Sequence, residues 1–104
     1  MADQSNTASV KLITIIAPST VRDTILEDLR GLGVTGYTTM TVNGWGKHGA
    51  RHFGFDDEPN VRIDTLVSAD VARLILERMD ARSADSGIVA FSMNAEAVPR
   101  RHFI

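Results

Sequence analysis

The sequence predicts an α+β domain on a ferredoxin-like βαββαβ plan: a four-stranded antiparallel sheet with two helices on one face. Three observations predict it. Four stretches rich in strand-forming residues and two with helical apolar spacing alternate as strand–helix–strand, a long loop, then strand–helix–strand. The length, 104 residues, suits one domain. The first strand is apolar on both faces, while two helices cover only one face of such a sheet; the other face calls for a second copy, so the domain is expected to be a homo-oligomer.

Residues 1–9 are small and polar and read as a disordered tail preceding a domain over residues 10–104. The first strand spans residues 10–17, with Val10, Leu12 and Ile16 on one face and Ile13 and Ile15 on the other. Pro18 ends it. Thr20 and Asp23 form a capping pair for a helix over residues 20–32, whose face carries Val21, Ile25, Leu29 and Leu32, and Gly33 stops it. The second strand runs over residues 37–42, rich in threonine. Residues 43–60 show no apolar period and hold Gly44, Gly46, Gly49, Gly54 and Pro59; a structureless loop of that length in a small domain is usually functional. The third strand, residues 61–67, alternates Val61, Ile63, Thr65 and Val67 against Arg62, Asp64 and Leu66. Ser68 caps a second helix with Asp70 in its first turn and Val71, Leu74, Ile75 and Met79 facing inward. Asp85, Ser86 and Gly87 make a turn, residues 88–93 the last strand, and residues 94–104 a tail.

Charge is nearly balanced, 11 Lys and Arg against 13 Asp and Glu, where a nucleic-acid binder or an anionic-membrane binder would carry a basic excess. No cysteine is present, which excludes disulfides, thiolate metal sites and cysteine nucleophiles. The longest apolar run is too short to span a bilayer, and residues 1–9 lack the basic and apolar regions of a secretion signal, so the expectation is a cytoplasmic protein with no membrane insertion.

Residues Gly44, Trp45, Gly46, Lys47, His48 and Gly49 match G-x-G-x-x-G, but the helix that a dinucleotide fold requires does not follow them. A glycine-rich loop without a helix can still turn backbone N–H groups toward an anion, with Lys47 and Arg51 supplying charge; the alternative is a turn that simply needs glycine. Arg100 and Arg101 suit a phosphate or carboxylate clamp or a solvated end. His48 and His52 are four apart without an obvious third ligand, so no metal site is assigned; a metal-responsive binding module remains the alternative function. The acidic run Asp56, Asp57, Glu58 reads as solvated loop. Asp64 points away from the core beside the loop and is expected to pair with a loop cation. Trp45 packs the loop down or stacks on a base. No spacing assembles a nucleophile, base and orienting group, so no catalytic residue is named and the chain reads as a non-enzyme.

The block from Gly36 through Tyr37, Thr38, Thr39, Met40, Thr41, Val42, Asn43, Gly44, Trp45, Gly46 and Lys47 to His48 resembles the corresponding block of PII signalling proteins, where a strand leads into a glycine-aromatic-glycine-basic turn that starts the T-loop. The resemblance extends in element order over residues 10–101, with Asp64 in the place of the family's glutamate. It departs where the family's Gly-Asp-Gly-Lys loop reads Asp85, Ser86, Gly87, Ile88, without the phosphate-binding lysine. Its T-loop is shorter and holds no tyrosine to be uridylylated. This combination is similar to the divergent PII-like proteins of inorganic-carbon metabolism, both bicarbonate-transporter-associated and carboxysome-associated. The resemblance implies a homotrimer with adenine-nucleotide sites in the clefts between subunits. Gly36, Tyr37, Thr38, Gly44, Trp45, Gly46, Lys47, Asp64, Gly87, Arg100 and Arg101 would line them, and Lys47 and Arg51 would receive bicarbonate or another small anion. The missing lysine favours ADP or AMP over ATP. No tightly held cofactor is implied, and the partner would be a protein target such as a bicarbonate transporter or a carboxysome component.

Overall fold

The computed structural model describes residues 6–43, 45–46, 49–50 and 59–104. Strand β1 (Ala8–Pro18) leads through a 3₁₀ turn (Ser19–Val21) into helix α1 (Arg22–Gly31), then strand β2 (Thr38–Val42). Two dipeptides, β3 (Trp45–Gly46) and β4 (Gly49–Ala50), pair as a short ribbon. Strand β5 (Asn60–Val67), helix α2 (Ala69–Ser86), strand β6 (Val89–Ala97) and a 3₁₀ turn (Arg100–His102) complete the chain. The main sheet has the order β2-β5-β1-β6 with every pair antiparallel, the expected βαββαβ architecture.

The period-2 alternation of β1 and β5 explains how the helices dock. Register sets Ile13 beside Thr65, Ile15 beside Ile63 and Ala17 beside Val61, all on one face. That face meets Ile25, Leu26 and Leu29 of α1 and Ala72, Ile75 and Met79 of α2. Ile13, Ile15, Ile25, Leu29, Ile63 and Ile75 are fully excluded from solvent. At roughly 1.5–3 kcal/mol for each large apolar side chain removed from water, this layer is the main stabiliser of the fold.

The opposite face has no helix over it. Its register rows run Met40–Arg62–Ile16–Val89, then Thr38–Asp64–Thr14–Phe91, then Leu66–Leu12–Met93. Met40, Leu66, Val89, Phe91 and Met93 are all exposed. Toward the other end of β1, Ala8, Val10 and Ala97 are buried under the C-terminal tail, with Ala95 and Phe103 packed against them.

Several local expectations change. Helix α1 has no side-chain cap: its N-cap residue is Val21, and Asp23 accepts from Arg22 Nε at 3.2 Å rather than pairing with Thr20. Its end is as expected: Gly33 takes φ 98°, and the N–H of Val34 donates to the Leu29 carbonyl at 2.9 Å. Ser68 does cap α2, its hydroxyl accepting from the Val71 N–H at 3.2 Å. Asp85 and Ser86 are helical, and only Gly87, at φ 64°, turns out of α2. Leu74 is exposed, and Ala72 takes the inward position instead, because Ala72, Ile75 and Met79 are the residues spaced three and four apart on the docked stripe. Strand β6 continues through Ala97 because residues 94–97 pair with residues 8–11 of β1, which itself opens at Ala8. The 43–60 segment contains the β3–β4 ribbon and is not wholly structureless.

Between the helices, Asp28 is 7% exposed and accepts from Arg78 Nη1 at 2.9 Å and Arg82 Nη2 at 2.9 Å, with Arg82 Nε closing the bidentate fork. The hydrogen bonds from Arg82, opposed by burial and reinforced by the charges of both arginines, hold its carboxyl below the ordinary 3.8.

Candidate functional site

A pocket of about 360 Å³ opens beside the start of β2. That is within the usual range for small-molecule sites, ~300–1,000 Å³. Leu12 of β1, Asp64, Thr65 and Leu66 of β5, Gly36, Tyr37 and Thr38 at the head of β2, and Phe103 of the tail line it. The head of β2 is tied to its neighbour by the Thr65 hydroxyl, which donates to the Gly36 carbonyl at 2.6 Å. As an edge strand, β2 directs half its backbone N–H and C=O groups away from the sheet. The pocket therefore combines an apolar wall of Leu12, Leu66 and Phe103 with backbone donors and acceptors at its rim.

Asp64 supplies the fixed charge. It accepts from the Thr14 hydroxyl at 2.8 Å and from Arg62 Nε at 3.2 Å. The loop cations Lys47 and Arg51, expected as its partners, lie outside the described residues. Residues two apart on a strand share a face, which puts Arg62 beside Asp64, and Thr14 stands opposite Asp64 in the β1–β5 register. Thr14 is fully buried, its hydroxyl satisfied by this contact.

Of the residues singled out from the sequence, Gly36, Tyr37, Thr38 and Asp64 meet in this pocket. Arg100 and Arg101 lie exposed in the 3₁₀ turn that leads directly into Phe103, whose N–H donates to the Arg100 carbonyl at 3.0 Å. Gly87 is not there. It precedes β6, whose first residue, Val89, pairs with Ile16; Ile16 in turn stands opposite Arg62, and Arg62 opposite Met40 of β2. Three strand spacings, about 14 Å, separate the two edges. Trp45 and Gly46 form β3. Gly44, Lys47 and Arg51 lie outside the described residues, as do His48, His52 and the acidic run Asp56, Asp57 and Glu58. Among the described residues no three His, Asp or Glu side chains converge to hold a metal. A larger groove of about 530 Å³ runs between α2 and β6, lined by Leu76, Met79, Asp80, Ser83, Ile88, Val89 and Ala90, and holds none of the predicted residues.

Sequence reasoning missed Leu12, Thr65, Leu66 and Phe103. The first three stand in strands that the sequence locates correctly, and strand parity already puts Leu12 and Leu66 on the uncovered face. Phe103 stands in a tail whose apolar residues follow no helical or strand period that would place it.

The four-stranded antiparallel sheet in the order β2-β5-β1-β6 with both helices on one face defines a ferredoxin-like βαββαβ domain. Within that class, the model of the family described as nitrogen regulatory protein P-II matches residues 10–100, and the chain belongs to that family. No curated protein matches the sequence. Among solved structures, a protein of Thermus thermophilus described as a PII-like signalling protein is similar at 28% identity, with 96% of this chain and 100% of that one covered and a TM-score of 0.79. CPII from Thiomonas intermedia K12, a PII-like protein solved with ADP and bicarbonate, is 22% identical over 88% of this chain and 90% of its own, with a TM-score of 0.77. A DUF3240 family protein from Shewanella baltica OS155 shares the fold at 16% identity, covering 86% of this chain and 90% of that one, with a TM-score of 0.64. No helix among the described residues is long and apolar enough to cross a membrane.

Proposed function

We propose that the chain is a cytoplasmic, non-enzymatic regulator that binds an adenine nucleotide in clefts between three copies of itself. ADP or AMP is the favoured ligand, with bicarbonate as a second. Ligand binding is signalled through residues 43–60, which engage or release a protein target in inorganic-carbon metabolism, such as a bicarbonate transporter or a carboxysome component. The observation that carries this reading is the convergence of Gly36, Tyr37, Thr38 and Asp64 in one pocket at a sheet edge, with the exposed Arg100 and Arg101 in the turn that supplies its last wall. A base suits the apolar wall and the backbone rim, and the arginines suit its phosphates.

The homotrimer is supported by the uncovered apolar face and by the separation of Gly87 from the pocket, which a single chain cannot close. PII proteins are typically trimers. The bicarbonate assignment is supported by the fold shared with CPII, solved with ADP and bicarbonate. Lys47 and Arg51 are assigned to the small anion, and Lys47, Arg100 and Arg101 to the phosphates.

Isothermal titration of the purified protein with AMP, ADP and ATP, each with and without bicarbonate, tests this. Micromolar binding of ADP or AMP, tightened by bicarbonate, is expected. The double variant Lys47→Ala, Arg101→Ala should weaken it at least tenfold; an unchanged affinity would mean the site lies elsewhere.

A further inference from the structure

We infer that Phe103 is the residue that selects a flat aromatic ring in the pocket, stacking against the ligand's base. The inference rests on the nucleotide reading and adds the recognition element for the base. Phe103 is half-buried, its ring both packed on the Ala8–Val10–Ala97 cluster and lining the pocket. A ring that packs on small buried side chains and also lines a pocket can serve as a stacking platform. The buried alanines fix its position, and little side-chain freedom is left to lose when a base arrives.

Chain order gives the platform a matched polarity. Arg100, Arg101 and His102 occupy the single 3₁₀ turn before Phe103, all exposed. At about 2 Å of rise per residue, that turn places the cations within roughly 6 Å of the ring along the chain. The ligand that fits is therefore aromatic at one end and anionic at the other, with the two ends joined by a spacer the size of a sugar. Leu12 and Leu66 form the rest of the apolar wall and offer no hydrogen bond. Discrimination among bases then falls to the backbone rim at the head of β2, and the strength of base binding falls to Phe103. Base–aromatic stacking is sequence-tolerant and large enough to measure by substitution.

The test is titration of the full-length protein with ADP for three forms: wild type, Phe103→Leu and Phe103→Tyr. Leucine keeps an apolar group on Ala8, Val10 and Ala97 but removes the π face, and tyrosine keeps the face. The expected result is roughly tenfold weaker ADP binding for Phe103→Leu and less than threefold change for Phe103→Tyr, with ligand-free melting temperatures of both close to wild type. Leucine binding ADP like wild type overturns the inference alone. Leucine and tyrosine weakening binding equally also overturns it, since packing of the tail would then be the cause. If wild type binds no adenine nucleotide at all, the nucleotide reading falls and this inference with it.

Discussion

The two faces of the sheet are built from the same strands and have opposite chemistry. Under the helices, Ile13, Ile15, Ala17, Val61 and Ile63 form a layer without a charged group. On the other side, the Thr14–Asp64–Arg62 network sits among the exposed Met40, Phe91 and Met93. The covered face is complete within one chain: its apolar groups are buried, and the ion cluster around Asp28 lies between helices rather than on the sheet. The open face has apolar groups without cover and polar groups already paired. Alternation along the middle of β1 thus divides labour, with Ile13, Ile15 and Ala17 closing the core and Leu12, Thr14 and Ile16 on the face that no helix covers.

Breaking the covered face should have the largest effect. Ile15→Ala removes a fully buried side chain and is expected to cost about 3 kcal/mol of folding stability, read from urea unfolding. A loss under about 1 kcal/mol would mean that the layer is looser than its burial indicates.

Asp28→Asn is expected to cost about 2 kcal/mol at neutral pH, because it strips charge from hydrogen bonds with two arginines. The lowered carboxyl pKa fixes the sign of the pH dependence. Stability from ionised Asp28 is complete above its unfolded-state value near 3.8 and is lost as pH falls through the lower folded-state value. The gap between wild type and Asp28→Asn should therefore be constant from about pH 5 to 7 and close below about pH 4. A gap that widens on acidification would reverse the assignment.

Gly87→Ala should cost about 1 kcal/mol, since φ 64° is disfavoured for a residue with a Cβ. Circular dichroism melting would show it, and an unchanged midpoint would mean that the turn re-forms in another conformation. Met93→Ser, on the open face, should change the folding stability of an isolated chain least, within ~0.5 kcal/mol, because Met93 is 56% exposed. Its effect should fall on assembly, shifting the mass measured by light scattering toward smaller species. A folding penalty as large as that of Ile15→Ala would erase the distinction between the faces.

Much of the fold is legible in the sequence because it is written locally. The parity of β1 and β5, the Ser68 cap and the Gly33 stop each depend on residues a few positions apart, and the structure keeps all of them. The hidden part depends on distant pairing. Residues 94–97 have no strand signature of their own, and they extend β6 because β1 begins early enough to receive them. Asp85 and Ser86 have turn-forming side chains, yet they continue α2 until Gly87 changes the sign of φ. For the site, Gly36, Tyr37, Thr38 and Asp64 are found through family likeness, whereas Phe103 joins them only because the tail folds back over β1. A contact that spans most of the chain leaves no period to detect.

Strand β2 is five residues long, is paired on one side only and has four exposed side chains followed by one half-buried. Its amides are therefore the ones in the sheet that local opening should release first, at a free energy well below that of global unfolding. The pocket's rim is thus the most easily melted edge of a stable sheet, and occupancy there would register as slowed amide exchange at residues 38–42 while β1 stayed protected throughout.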